Sequence, residues 1–275
     1  MHEMIHVVLA ADDHYAVHLG VVMTSILLHR GGESVTFHVL DGGICHENKE
    51  KLRVVARSGN AELSFLSVNA DLFSRLDLRI KEGDHVTQAA YYRLLLPTLL
   101  ETRRCLYMDC DMICRTSLKP LWETDLGDCP AAAVRDIDED RHAARLGLDR
   151  YFNSGLLLMD LDRMRTEGLQ QRFLRCMAEQ AERIVMHDQD VINLVLQGRI
   201  QELDMTWNCQ VARTRKCRET GFRALSRTAA VLHFIGHRKP WTRGCRAPER
   251  REYWQYLQHT PWKESPARHL LRWFC

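Results

Sequence analysis

The sequence predicts an α/β protein whose central sheet is mostly parallel and is flanked by helices. Apolar runs rich in strand-forming residues occur at Ile5–Ala11, Val35–Leu40 and Glu62–Val68. Helical patterns separate these runs, one ending at Leu28 and the other spanning Asn48–Ser58. Such an alternation of strand and helix is typical of a parallel sheet with helices on its faces. The chain has 275 residues, which is enough to bury a sizeable core.

The rest of the chain continues this pattern. Gln88–Leu100 has a helical pattern as far as Pro97. Further strands are predicted at Arg104–Met108, Ala131–Val134, Gly155–Leu161 and Val231–Ile235, and further helices at Leu169–Val185, Asp188–Leu196 and near Glu249–Leu257. We therefore expect one domain over residues 1–245, followed by a basic and aromatic C-terminal extension over residues 246–275.

Composition and charge narrow the class of function. The formal net charge of +2 does not indicate a nucleic-acid partner. The sequence contains no uninterrupted apolar window of about 18 residues, so it predicts no membrane span. The ten cysteines lack CxxC spacing, and this favours free thiols over a zinc cluster. Free thiols are typical of a reducing compartment, which predicts a cytoplasmic location.

The strongest indication of chemistry is the segment LYMDCD at residues 106–111. Asp109 and Asp111 lie two residues apart at the end of an apolar strand, and we expect them to project to the same side. Carboxylates in this position suit Mn²⁺ or Mg²⁺, which bind carboxylates together with substrate phosphates. Taken alone, the pair also fits a solvated turn after a strand.

Two other loops carry groups that a nucleotide could use. Asp12 and Tyr15 follow the first strand, where a carboxylate can accept from a ribose or base and a ring can stack on the base. Capping of the following helix is the alternative for this loop. After the last strand, His233 could complete a mixed oxygen and nitrogen metal site, and Lys239 suits a phosphate. A satisfied strand histidine and a solvated lysine are the alternatives there.

Further polar residues occur in the middle of the chain. Asn153 precedes the strand predicted at Gly155–Leu161, and Asp188 and Gln189 open a helix, where such side chains can hydrogen-bond sugar hydroxyls. Asp188 also fits a helix N-cap. Arg93 lies in an apolar helical segment, where it could pair with a carboxylate or a phosphate.

The ordered series of these motifs resembles the family 8 glycosyltransferases, in particular the bacterial lipopolysaccharide galactosyl- and glucosyltransferases. The resemblance runs from about Ile5 to Trp241 and comprises VLAADDHY, FHVLDGGI, AAYYRLLLP, CLYMDCDMI, LKPLWETDL, YFNSGLLLMDL, HDQDVIN and HFIGHRKPW. It implies a GT-A fold, a UDP-hexose donor, a saccharide or glycolipid acceptor, Mn²⁺ as the cofactor, and retention of the anomeric configuration.

The resemblance also implies a role for individual residues. The implied metal ligands are Asp109, Asp111 and His233; the uridine contacts are Ala10, Asp12 and Tyr15; the donor-sugar contacts are Arg93, Asp136, Asn153, Asp188 and Gln189; and the diphosphate contacts are Gly236 and Lys239. The chain departs from the family pattern at His14 and at His237-Arg238, which puts the base or acceptor contacts there in doubt.

Two routes to retention remain open. Asp188 or Gln189 could attack the sugar and form a covalent intermediate. Alternatively, the acceptor hydroxyl attacks the face that the phosphate leaves, with Asp188 and Gln189 orienting the sugar. We favour the second route because an amide is a poor nucleophile. Gly236–Gly244 and Lys81–Thr87 are glycine-bearing and polar, and we expect one or both to close over the donor.

Two other functions also remain open. MDCDMI resembles the nucleophile motif of haloacid-dehalogenase-like phosphotransferases, although that motif normally follows the first strand. A catalytically dead UDP-binding protein is the other alternative. The tail Trp254–Cys275 mixes aromatic and basic residues, which fits either an anionic membrane surface or a helix packed on the domain. Membrane contact would place the protein peripherally at the inner face of the plasma membrane.

Overall fold

The computed structural model describes residues 4–68, 73, 78, 88–211 and 222–263. The strands are β1 (Ile5–Ala11), β2 (Val35–Asp41), β3 (Glu62–Ser67), β4 (Arg104–Met108), β5 (Met112–Cys114), β6 (Ala131–Arg135), β7 (Phe152–Asp160), β8 (Ile200–Glu202), β9 (Cys209–Gln210) and β10 (Val231–His233). The helices are α1 (Ala16–His29), α2 (His46–Ser58), α3 (Leu96–Leu99), α4 (Lys119–Trp122), α5 (Glu139–Leu146), α6 (Leu161–Thr166), α7 (Leu169–Glu179), α8 (His187–Val195), α9 (Phe222–Leu225) and α10 (Arg250–Leu257). Gln88–Leu95, Ala181–Arg183 and Met205–Asn208 are 3₁₀ turns.

A seven-stranded sheet forms the centre of the molecule, with strand order β3-β2-β1-β4-β7-β6-β8. β7 is antiparallel to both of its neighbours, and every other neighbouring pair is parallel. This confirms the predicted mixed, mostly parallel sheet. Because β7 runs against the others, its first residues lie at the same edge as the carboxyl ends of β1, β4 and β6.

Alternating side chains of the sheet enter two separate cores, as the two-residue period of a strand requires. In β1, Val7 and Leu9 belong to the core on the face covered by α1 and α2, and Val8 belongs to the core on the opposite face. In β4, Leu106 belongs to the core on the α1 and α2 face, and Tyr107 belongs to the core on the opposite face. Helices on both faces leave the carboxyl edge as the open side of the sheet.

A smaller sheet of β5, β10 and β9 adjoins the main one. β10 is antiparallel to β5 and parallel to β9, so the last predicted strand belongs to this second sheet. α10 packs against the small sheet and α1 through Tyr253, Trp254 and Leu257, which are all buried. The proposed domain boundary after residue 245 stays a prediction.

The aromatic tail can be compared with its two alternatives only as far as residue 263. Trp254, Tyr256, Leu257 and Trp262 pack against the domain, as the packed-helix alternative expects. The remaining tail residues, and the predicted closing segment Lys81–Thr87, lie outside the described residues. Within the described part of the chain, no helix has both the length and the apolar character needed to cross a membrane.

Three predicted boundaries are wrong. The helix predicted at Leu169–Val185 ends at Glu179, and the backbone N–H groups of Val185 and Met186 donate to a side chain instead. Pro97 lies at the start of α3, where its missing N–H costs nothing, and does not end a helix there. The strand predicted from Gly155 starts at Phe152, which places Asn153 inside it.

Candidate active site

A cavity of about 750 Å³ opens at the carboxyl edge of the main sheet. It lies where the ends of β1, β4 and β6 meet the beginning of β7, which is the usual position of a ligand site in such sheets. All of the residues predicted to act at the site lie in its wall: Ala10, Asp12, Tyr15, Arg93, Asp109, Asp111, Asp136, Asn153, Asp188, Gln189, His233, Gly236 and Lys239. Their positions agree with one site, and their individual roles stay predictions.

Asp109, Asp111 and His233 converge on one point. One ligand atom from each lies within 4.8 Å of the others. His233 Nε2 is 3.2 Å from Asp111 Oδ1 and 3.7 Å from Asp109 Oδ2. The two aspartates lie in the turn between β4 and β5, and the pairing of His233 with Met112 brings in a histidine more than a hundred residues away.

Hydrogen bonding determines which nitrogen of His233 faces the carboxylates. His233 Nδ1 lies 2.9 Å from Asn208 Oδ1, and Asn208 Nδ2 donates to Asn153 Oδ1 at 2.9 Å. An amide oxygen only accepts, so Nδ1 carries the proton and Nε2 presents a lone pair. Asp111 Oδ1 is buried without a hydrogen-bond partner among the described residues, so its short distance to Nε2 is a contact between two lone pairs. These atoms fit a divalent cation, which removes that conflict.

Lys239 lies at the edge of this group. Its buried ammonium forms an ion pair with Asp111 Oδ2 and donates to the backbone oxygen of Phe234 at 3.0 Å. Burial raises the pKa of Asp111, but the adjoining groups, Lys239 foremost, outweigh burial together and hold the pKa well below its ordinary value. Gly236, with φ of 72°, makes the turn between β10 and Lys239.

Arg93 links the metal-ligand group to the predicted sugar-binding residues. Its guanidinium donates to Asp109 Oδ1 at 2.8 Å, lies 3.1 Å from Asp188 Oδ2 and donates to the backbone oxygen of Ser154 at 2.6 Å. Burial lowers the pKa of Arg93, but Asp109 and Asp188 reverse this and the pKa is raised. Arg93 therefore pairs with two carboxylates, which was one of the two pairings that the sequence left open. The ring of Tyr107 lies beneath the guanidinium, 4.1 Å away.

Buried amides fix the predicted sugar-binding residues relative to one another. Gln189 Oε1 accepts from the backbone N–H of Ser154 at 3.0 Å and from Asn153 Nδ2 at 3.2 Å. Gln189 Nε2 and Asn153 Nδ2 both donate to Asp136 Oδ2, at 3.1 and 3.0 Å. The Ser154 hydroxyl donates to Asp188 at 3.0 Å, and burial raises the pKa of Asp188. The oxygen and the nitrogen of the Gln189 amide are both hydrogen-bonded, so the amide is preorganised.

The loop after β1 both closes the turn before α1 and contributes residues to the cavity wall. Asp12 Oδ1 accepts from the backbone N–H of Tyr15 at 3.0 Å, so Asp12 closes the turn before α1. Ala10 contributes a backbone oxygen that accepts from Cys110 Sγ at 3.2 Å. The Tyr15 ring meets Trp241 edge to face at 5.9 Å, which places it beside the loop that carries Lys239.

Helix α10 anchors the Gly236–Trp241 loop. Trp241 stacks on His18 with ring centroids 3.4 Å apart, and the Tyr253 hydroxyl lies 2.6 Å from His18 Nδ1. Trp254 Nε1 donates to the backbone oxygen of Pro240 at 3.2 Å. Burial lowers the pKa of His18 to about 3, so this imidazole is neutral at pH 7. α10 therefore supports the loop that ends beside the metal-ligand group.

Asp190 fixes the segment that leads into Asp188. The carboxylate is fully buried and accepts from the Tyr151 hydroxyl at 2.6 Å and from Arg145 at 2.7 Å. It also accepts from the backbone N–H groups of Val185 and Met186, at 2.7 and 2.8 Å. Four donors therefore have the Asp190 carboxylate as a hydrogen-bond acceptor.

We expect Asp190→Ala to destabilise the fold by about 3 kcal/mol, because it leaves buried donors unpaired. Urea unfolding at pH 7 measures the change in the free energy of unfolding. Asp162→Ala is the matched control, since Asp162 is exposed and pairs with Arg165 on the surface, and it should change stability by less than about 0.5 kcal/mol. Equal effects of the two substitutions would contradict the structural role of Asp190.

Comparison with known families decides the class of this site. A family profile described as "Glycosyl transferase family 8" matches residues 6–245. The chain belongs to glycosyl transferase family 8. It is a glycosyltransferase, and the mixed sheet and the cavity at its carboxyl edge agree with that assignment. The aspartate pair follows β4 and not the first strand, which disfavours the haloacid-dehalogenase-like alternative.

Relatives resemble this family 8 glycosyltransferase over nearly its full length. General stress protein A of Bacillus subtilis (strain 168) is 30% identical, covering 94% of this chain and 95% of the relative. Lipopolysaccharide 1,2-glucosyltransferase of Escherichia coli (strain K12) is 24% identical, and the match covers 97% of this chain and 81% of the relative. The crystal structure of galactosyltransferase LgtC in complex with donor and acceptor sugar analogs has a TM-score of 0.81 and 27% identity, covering 98% of this chain and all of that one.

Sequence reasoning missed several residues of this family 8 site. Asn208, which orients His233, lies in a stretch without any recognisable motif. Tyr107 donates to Asp109 Oδ1 at 3.1 Å, and in the sequence it is part of the apolar strand before the aspartates, with nothing that marks it as a site residue. Ser154 and Gly155 lie at the start of an apolar strand, and their residue types alone predict no role in the site. The adjacency of YFNSG to that strand was the one available signal for these two residues.

Proposed function

We propose that this glycosyltransferase is a metal-dependent, retaining hexosyltransferase. It transfers galactose or glucose from a UDP-sugar to a saccharide or glycolipid acceptor, in the synthesis of lipopolysaccharide or another cell-surface glycan. The observation that carries the proposal is the convergence of Asp109, Asp111 and His233 beside Lys239. The named activities of the lipopolysaccharide glucosyltransferase and of the galactosyltransferase LgtC support the choice of sugar.

Asp109, Asp111 and His233 would hold Mn²⁺, or Mg²⁺ in its place. The ion would neutralise the charge that develops on the diphosphate as the bond to the sugar breaks. Lys239 would bind the same phosphates as a point charge. Asp12 and Tyr15 would contact the uridine, and Gly236 allows the backbone turn that brings Lys239 to the phosphates.

The protein groups near the sugar favour attack by the acceptor on the face that the phosphate leaves. The Gln189 amide is held by hydrogen bonds at both ends, and an amide is a poor nucleophile. Asp188 is tied to Arg93 and Ser154. Both residues are therefore suited to orienting the sugar, and the leaving phosphate would take the proton of the acceptor hydroxyl.

Release of UDP from a panel of UDP-sugars, with and without Mn²⁺, tests the proposal. We expect one UDP-hexose to be turned over only with the metal, and Asp109→Asn to lower the rate by at least about a hundredfold. Asp128→Asn, at a fully exposed site, is the matched control. The anomeric proton of the product, read by NMR, reports retention or inversion.

The outcomes separate the proposal from its rivals. Binding of UDP without turnover of any donor, even with added saccharide acceptors, would favour the catalytically dead protein. Failure to bind UDP with or without Mn²⁺ would contradict the nucleotide assignment. Co-sedimentation with anionic vesicles tests the predicted peripheral membrane contact of the tail, which would be useful for a glycolipid acceptor.

We expect Trp254→Phe to weaken UDP binding about tenfold, since it removes the hydrogen bond that holds Pro240 in the loop carrying Lys239. Trp122→Phe is a matched control, because Trp122 Nε1 is buried without a hydrogen-bond partner among the described residues. Calorimetric titration with UDP and Mn²⁺ measures both variants. Equal affinities in the two variants would show that α10 does not position the loop.

A further inference from the structure

Three side chains form a second polar group in the same cavity. One carboxylate oxygen each from Asp136 and Asp138 and one imidazole nitrogen of His142 lie within 4.8 Å of one another, and all three residues line the cavity. His142 lies on α5 and is only 7% exposed. Its Nδ1 is buried and has no hydrogen-bond partner among the described residues. A buried polar atom of this kind, in the wall of a substrate cavity, calls for a partner that the protein does not supply.

The imidazole of His142 is neutral and fixed in place. Burial lowers its pKa, and the charge of Asp136 only partly opposes this. A neutral imidazole offers one N–H donor and one lone pair. Its ring packs against that of Tyr151, with centroids 4.9 Å apart, and Tyr151 is itself fully buried. His142 therefore holds one donor and one acceptor in a fixed ring in the cavity wall, and its Nδ1 is the buried atom without a partner among the described residues.

The surroundings favour a hydroxyl group over a second cation at this position. Asp136 Oδ2 already accepts from Asn153 and Gln189, and Asp136 Oδ1 accepts from the backbone N–H of Asp138. The charge of Arg145 lowers the pKa of the imidazole and the charges of Asp136, Asp190 and Asp138 raise it, and burial outweighs their sum. A hydroxyl group donates one hydrogen bond and accepts others, so it can satisfy a carboxylate and a neutral imidazole together.

A chain of hydrogen bonds connects this group to the metal-ligand site. His233 bonds to Asn208, Asn208 to Asn153, and Asn153 to Asp136. This chain joins Asp136 to the metal-ligand group within one cavity wall, and the sugar attached to a metal-bound diphosphate would lie in the same cavity. We propose that His142 is a specificity-determining residue that binds a hydroxyl of the donor hexose, together with Asp136 and Asp138. This inference rests on the proposed function.

Calorimetric titration of His142→Phe with UDP, UDP-galactose and UDP-glucose in the presence of Mn²⁺ tests the inference. Phenylalanine keeps a ring against Tyr151 and removes both nitrogens. We expect binding of the preferred UDP-hexose to weaken about tenfold, and binding of UDP to change by less than about twofold. Deoxy analogues of that UDP-hexose then identify the hydroxyl. Wild type and variant should bind one analogue with equal affinity, because that analogue lacks the hydroxyl that His142 binds. His46→Phe, at an exposed site on α2, is the matched control.

Each outcome bears on the inference. An unchanged affinity for both UDP-hexoses would overturn it. Equal losses for UDP and UDP-hexose would also overturn it, because they indicate a general structural role. Binding of two Mn²⁺ ions by wild type and one by His142→Phe would overturn it as well, because the ligand of His142 would then be a cation and not a hydroxyl. His142→Asn, which keeps a donor and an acceptor, should recover part of the loss if the variant with phenylalanine folds poorly. Failure of wild type to bind UDP at all is a different result, which removes the proposed function first.

Discussion

Gly155→Ala should abolish most metal binding while leaving the protein folded. A Cβ at this position would lie 2.8 Å from Asp109 Oδ2 and 2.9 Å from His233 Nδ1, and closer still to His233 Cε1. Real Cβ atoms essentially never approach other atoms within 3.0 Å, so His233 has to move. The displaced imidazole would then fail to reach the metal together with both aspartates. We expect Mn²⁺ affinity and turnover to fall by about ten- to a hundredfold.

The same substitution carries a modest cost to the fold, about 1–3 kcal/mol, because the extra methyl overpacks a buried site. Mn²⁺ titration followed by electron paramagnetic resonance measures the affinity, and circular dichroism reports whether the fold is kept. Gly32→Ala is the matched control, since a Cβ there meets nothing within 4 Å. If Gly155→Ala bound Mn²⁺ as tightly as wild type does, His233 would not be held against this glycine.

The sequence predicted the fold well where local pattern and topology agree. The first three strands and the helices between them follow hydrophobic periodicity, and their boundaries lie within a few residues of those observed. The pair Asp109 and Asp111 was visible as two carboxylates at the end of an apolar strand. Their place at the carboxyl edge of the sheet follows from general rules for α/β proteins.

Features that depend on distant contacts could not be derived in this way. The helix predicted at Leu169–Val185 stops at Glu179, and the backbone N–H groups of Val185 and Met186 donate to the carboxylate of Asp190, which no local pattern reveals. The reversal of β7 brings Asn153 to the metal site, although strand direction leaves no mark in a single sequence. Asn208 acts through an imidazole 25 residues away, a pairing that only the folded chain shows.

Lys239→Met should change the affinity for metal and the affinity for nucleotide in opposite directions. In the structure the Lys239 ammonium forms a buried ion pair with Asp111, a predicted metal ligand. A cation that binds Asp111 has to compete with this ammonium, so its removal should strengthen binding of Mn²⁺ alone severalfold. The proposed contact with the diphosphate is lost at the same time, and kcat/KM should fall by about a hundred- to a thousandfold.

Stability gives an independent measure of this competition. Without metal, Lys239→Met leaves the buried Asp111 carboxylate uncompensated, which should destabilise the protein by about 3 kcal/mol. Mn²⁺ should restore most of that loss, because a ligand that binds only the folded state stabilises it by an amount that grows with the logarithm of the ratio of its concentration to its Kd. The rise in Tm on adding Mn²⁺ should therefore be larger in the variant than in wild type. Lys119→Met, which removes a surface pair with Glu123, should show the wild-type rise. If Lys239→Met weakened binding of Mn²⁺ alone as much as binding of UDP, the ammonium would be a partner of the metal site and not its competitor.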